Sequence, residues 1–135
     1  MPDDSTFTRG QLERTLSQRI QALYRTQLGH KPTKIDCQIC DDKISIVLED
    51  SITKPEQLLA ENGQEELAKQ VRSELNDMIQ VQLKELLEEV LKIPVLDLLT
   101  NAKLDTGRTG TIVVLERAPQ FRERPSTTPA KKESS

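Results

Sequence analysis

Between Gln64 and Lys92, apolar residues recur every three or four positions: Leu67, Val71, Leu75, Met78, Ile79, Leu83, Leu86, Leu87, Val90 and Leu91. That period defines an amphipathic helix, and Pro94 stops it. At about 1.5 Å per residue such a helix runs roughly 40 Å. A short strand covers only roughly 20–24 Å, so the helix outruns any sheet it covers. Its excess is either exposed or packed on a second copy. The doubled apolar stripe at Leu86-Leu87 and Val90-Leu91 favours the second outcome. Leu83, Leu86, Leu87 and Val90 are therefore the candidate interface of a homodimer, or of a complex with another protein.

The elements around this helix follow from local pattern. From Thr8 onward, Leu12, Leu16, Ile20, Leu23 and Tyr24 share one helical face, with Leu28 near the end. Gly29 suits the left-handed cap that closes a helix, and Pro32 blocks continuation. The period then drops to two. Ile35, Cys37 and Ile39, then Ile44, Ile46 and Leu48, alternate with polar residues on either side of Asp41-Asp42, which predicts a β-hairpin with one buried face. Thr53-Lys54-Pro55-Glu56 opens a short helix as a capping box with Pro in the first turn, and Asn62-Gly63 separates it from the long one. Beyond Pro94, Val95–Thr100 predicts a third strand, buried on both faces because its apolar residues nearly run together. Asn101–Gly110 predicts a polar loop, and Thr111–Glu116 a fourth strand. The fold class is α+β in the order α-β-β-α-β-β, an antiparallel four-stranded sheet with helices packed on one face.

Length and composition set the organisation. A chain of 135 residues suits one domain: a loose leader over 1–7, the domain over 8–117, and a disordered Pro/Ser/charged tail over 118–135. Residues 117–135 carry five basic residues against two acidic ones, a net of +3, so the overall −3 leaves −6 on residues 1–116. An acidic body repels phosphate backbones, and Phe7, Tyr24 and Phe121 are too few and too scattered to stack bases, so the folded domain is not expected to bind nucleic acid. The basic tail reads as solubilising. No apolar run reaches the roughly 20 residues that span a bilayer, and the first residues lack a signal-peptide layout. A cytoplasmic location is expected, where thiols stay reduced.

No catalytic, cofactor or metal set emerges. Cys37-Gln38-Ile39-Cys40 has CxxC spacing, but it lies in a strand, where residues three apart face opposite sides. A zinc site needs further soft ligands, and His30 is the sole histidine. The acidic pairs Asp41-Asp42, Glu49-Asp50, Glu65-Glu66 and Glu88-Glu89 fall in turns or on polar helix faces, and Gly107 and Gly110 form no phosphate loop. An enzyme is the least favoured class. Arg25 and Lys31 flank the first helix–strand joint, and Arg72 follows the apolar Val71 on the long helix. Arg72 either pairs with a Glu or, with Arg25 and Lys31, forms a small-anion site. That second possibility, a ligand-sensing module, is the alternative to a protein that works by protein contact.

The run Leu12…Ile20-x-x-Leu23-Tyr24-Arg25 and Leu28-Gly29-x-x-Pro32, the run Ile52-Thr53-x-Pro55-Glu56-x-x-Leu59-Ala60, the pair Val71-Arg72, and Thr106-Gly107…Ile112-Val113-Val114-Leu115-Glu116 together resemble the MpsC-like family. The resemblance spans about residues 10–117. It implies a small protein without a membrane span, in an accessory or regulatory role beside a membrane system of cation or inorganic-carbon uptake. It carries over no catalytic residue. This chain departs from the family's pattern at Lys31, where a glycine is usual, and at Asn101, where an aspartate is usual.

Overall fold

The structure is a computed structural model that describes residues 7–122 of the 135. The helices and strands run α1 (Arg9–Leu28), β1 (Lys34–Cys40), β2 (Lys43–Glu49), α2 (Lys54–Glu61), α3 (Glu65–Leu91), β3 (Val95–Lys103) and β4 (Arg108–Leu115). The expected leader and tail lie mostly outside the described residues. Of the positions assigned to the tail, 118–122 are described: Phe121 packs against the core, and Arg122 donates its amide to the Phe7 carbonyl at 2.7 Å.

Local chemistry sets the element boundaries. Thr8 caps α1 by accepting from the Gln11 amide at 3.2 Å, while its own amide donates to the Gln11 side chain at 2.9 Å. Gly29 closes the helix at φ 67°, its amide bonded to the Arg25 carbonyl. Asp41, at φ 57°, makes the turn between β1 and β2. Asn101–Gly110, expected as a loop, is mostly strand: β3 and β4 extend to a turn over residues 104–107, where Gly107 takes φ 76°.

All four strands are antiparallel in one sheet, ordered β1-β2-β4-β3. The helices cover one face. α1 and α3 run antiparallel, tied at one end by Arg19 to Glu89 and at the other by Gln82 to Gln27. The core between helices and sheet is aliphatic: Leu12, Leu16 and Ile20 from α1; Ile44, Ile46 and Leu48 from β2; Ile79, Leu83 and Leu87 from α3; Val113 and Leu115 from β4. Tyr24 is its one buried aromatic among the described residues.

Two expectations need correction. β3 is not buried on both faces: Leu96 and Leu99 are 63% and 56% exposed. Burying both faces takes a layer on each side, and here helices cover only one; β3 is also an edge strand. The stripe of α3 left over is not at its C-terminal end. Leu83, Leu86 and Leu87 are buried in the chain's own core, and Val90 packs against it. The half-exposed stripe is Leu67, Val71, Leu75 and Met78, on the N-terminal half of α3 that extends past the end of α1.

Candidate functional site

At the N-terminal half of α3 the sequence places an arginine at an interior position. Arg72 shares a helical face with Ala68, Ile79 and Leu83 and is 4% exposed. An unpaired charge there would be prohibitively costly. Its counter-charge is Glu56 on α2, which is fully buried. The pair is bidentate: Arg72 Nε donates to Glu56 Oε2 and Nη2 to Oε1, both at 2.7 Å. This fork-on-carboxylate geometry is the strongest form of the contact.

The surrounding groups satisfy the rest of the pair. Thr53 donates its amide and its hydroxyl to Glu56 Oε1, at 3.0 and 2.7 Å. The same Glu56 carboxylate thus completes the capping box of α2 and neutralises Arg72. Arg72 Nη2 also donates to the Ser51 carbonyl at 3.0 Å, and Nη1 to Asn76 Oδ1 at 3.3 Å. Ser51 extends the network to the far hairpin. Its amide and hydroxyl both donate to the Gly107 carbonyl, at 2.8 and 2.9 Å, and its hydroxyl lies 2.7 Å from that of Thr109. One polar chain therefore joins the β2–α2 connection, α2, α3 and the β3–β4 turn. Burial raises the pKa of the nearby Tyr24 hydroxyl, and the Arg72 charge opposes that rise in part.

Beside this cluster lies an open groove of about 890 Å³ between α2, α3 and the Thr100–Asp105 end of the β3–β4 hairpin. Glu61, Glu65, Asp77 and Asp105 line it, against Lys69 and Lys103. Arg72 borders the groove with its charge already neutralised by Glu56.

The remaining anticipated residues scatter. Arg25 and Lys31 are exposed, and neither makes an ion pair or side-chain hydrogen bond among the described residues. His30 is half-buried and bonds the Asp50 carbonyl through Nε2 at 2.7 Å. Asn101 lines the groove, opposite Gly110 on β4, and is exposed. Cys37 is buried and Cys40 exposed, both as free thiols. Burial pushes the Cys37 thiol up to about 12, with Glu13 and Asp36 adding to the rise. Among the described residues no group of three or more His, Cys, Asp or Glu is placed to hold a metal ion. Glu56 and Ser51 are the residues that sequence reasoning missed as partners of Arg72. Glu56 already had a local role as a cap, and nothing near it in the chain points to a partner on another helix.

Fold and cluster together define a small α+β protein whose helices pack on one face of its sheet through an aliphatic core, with α2 joined to α3 by a buried ion pair. Thr53, Glu56, Arg72 and Gly107, on which the resemblance partly rests, meet in that one network. The chain belongs to the family described as Na+-translocating membrane potential-generating system (MpsC), whose profile matches residues 8–117. No curated protein and no solved structure gives a significant match. Among the described residues no helix is long and apolar enough to cross a membrane.

Proposed function

We propose that this protein is a non-catalytic accessory component of a membrane cation-translocating system, working in the cytoplasm by protein contact and as a homodimer. The supporting observation is how its side chains divide. The largest buried polar cluster is closed on itself, each charge neutralised within the chain. Of the eight exposed large apolar residues among the described ones, five fall on two surfaces, Leu67 and Met78 on α3 and Leu96, Leu99 and Ile112 on the sheet, with Phe7, Leu58 and Val81 elsewhere. Apolar groups gathered in this way mark contact surfaces. The family's description, a Na+-translocating membrane potential-generating system, supports taking the partner from such a system. A small-anion sensor built on Arg25, Lys31 and Arg72 draws no support from Arg72, whose charge Glu56 already neutralises.

The test is a Na+-dependent membrane potential recorded in vesicles carrying the membrane components, with the protein present, omitted, or replaced by Met78→Glu. The potential is expected to fall on omission and to stay low with the variant. An unchanged potential on omission overturns the accessory role. Turnover of a small substrate by the purified protein, abolished by one point substitution, overturns its non-catalytic character.

A further inference from the structure

The sheet has two edges, and the chain treats them differently. An edge strand presents unpaired amides and carbonyls that invite another strand. On β1, α1 supplies substitutes at one position: the Ile39 amide donates to Glu13 at 2.8 Å, and Arg9 donates to the Ile39 carbonyl at 3.4 Å. On β3, only the beginning is covered. Glu88 accepts from the Val95 amide at 2.8 Å, and Asp97 accepts from the adjacent Leu98 amide at 3.0 Å. From Leu99 to Lys103 the backbone partners among the described residues lie on β4, apart from the Gly107 amide in the turn, which donates to the Lys103 carbonyl at 2.9 Å. The register shift between Val95 and Asp97 sets the start of the regular, pairable stretch. Leu96 and Leu99 stand exposed along it, with Val81 of α3 62% exposed nearby.

We infer that β3 pairs antiparallel with β3 of a second copy, about a two-fold axis through Thr100. The argument is self-complementarity. Strand residues three either side of Thr100 are Asp97 and Lys103, both exposed, of opposite charge, and on the sheet face away from the helices. A two-fold axis at Thr100 sets Asp97 of each copy opposite Lys103 of the other, so one interface contains two cross-strand charge pairs. It also sets Leu98 opposite Ala102 and Thr100 opposite Thr100. Asp97 now bonds its own neighbour's amide, a place that a partner strand's carbonyl can take. An isologous interface requires this match of a surface with itself. The inference rests on the homodimer reading above and names its interface.

The test uses the full chain. The dimer dissociation constant is measured by sedimentation equilibrium for the native protein, Asp97→Lys, Lys103→Asp and the double swap. Each single swap sets like charges opposite each other in both pairs and is expected to weaken dimerisation by about tenfold or more. The double swap restores opposite charges and is expected to recover the native constant to within about threefold. Amides of Leu99–Lys103 are expected to gain hydrogen-exchange protection as protein concentration rises. Unfolding midpoints of the variants, near native because both side chains are exposed, separate a lost interface from a lost fold. A native dimer indifferent to the single swaps overturns this interface and leaves the homodimer standing. Single swaps that weaken the dimer with no recovery in the double overturn the register. A monomer at all concentrations overturns both, as does pairing of this edge only with an extended segment of another protein.

Discussion

Replacing Arg72 by Met tests the account of the buried cluster most directly. The variant keeps much of the side-chain volume and removes the charge, leaving the Glu56 carboxylate fully buried with only the Thr53 amide and hydroxyl as donors. Breaking a buried pair by removing one partner costs about 3–5 kcal/mol. A domain of this size has about 5–15 kcal/mol in total, so Arg72→Met removes a large share of its stability. Glu56→Leu is expected to cost a similar amount, because it strands the guanidinium. The double variant is expected to behave differently. With both charges gone, what is lost is the cap on Thr53, about 1 kcal/mol, and the donor to the Ser51 carbonyl, about 1–3 kcal/mol. The double variant should therefore be no less stable than either single one, with a coupling energy of several kcal/mol. Urea unfolding followed by circular dichroism measures all four proteins, and an unchanged slope confirms that the unfolded states compare. Additive losses, or a loss below about 1 kcal/mol for Arg72→Met, would refute the reasoning.

Four further outcomes are expected. Leu87→Ala should cost about 2–5 kcal/mol of folding stability and leave the dissociation constant of the folded protein unchanged, because Leu87 lies in the chain's own core; unfolding and sedimentation measured together check both. At pH 8 a thiol reagent should modify Cys40 quickly and Cys37 only after denaturation. Because the folded pKa of Cys37, about 12, is raised above the ordinary value of 9.0, its contribution to stability is whole below pH 9 and is lost as pH rises toward 12. The raised Tyr24 adds to that loss above its ordinary value of 10.0, and Cys37→Val should flatten the lower part of the profile. Gly107→Ala should destabilise by about 1 kcal/mol, since the turn holds φ 76°, and urea midpoints give the value.

Much of the architecture was legible because it follows from short-range rules. The helical spacing from Thr8, the Thr53 capping box, the Gly29 cap, Pro94 and the alternation over Ile35–Leu48 marked elements close to their observed limits. The interior of α3 was not legible. Its apolar spacing suggested Val71 as a core residue, yet Arg72, one position and about 100° further round, points inward, because a carboxylate on α2 awaits it. No local pattern reveals a partner sixteen residues away. The same blindness misplaced the surplus apolar surface: Leu86, Leu87 and Val90 look like an unused stripe until α1 and the sheet are set against them. For β3, apolar residues in near-continuous order resemble a strand enclosed on both sides, and only the strand order shows it to be an edge.

With the β3 pairing inferred above, the bonds at Ile39, whose amide donates to Glu13 and whose carbonyl accepts from Arg9, give the sheet a direction of growth. A sheet open at both margins adds copies without limit, as a filament does. Here α1 occupies the β1 margin at Ile39, so two copies joined through β3 as inferred would present outermost strands whose Ile39 amide and carbonyl are already bonded. In that arrangement assembly would stop at a finite number, because side chains of α1 hold the Ile39 groups that a further strand would need. Glu13→Ala and Arg9→Ala together would remove that terminator, and the expected consequence is chain-to-chain growth.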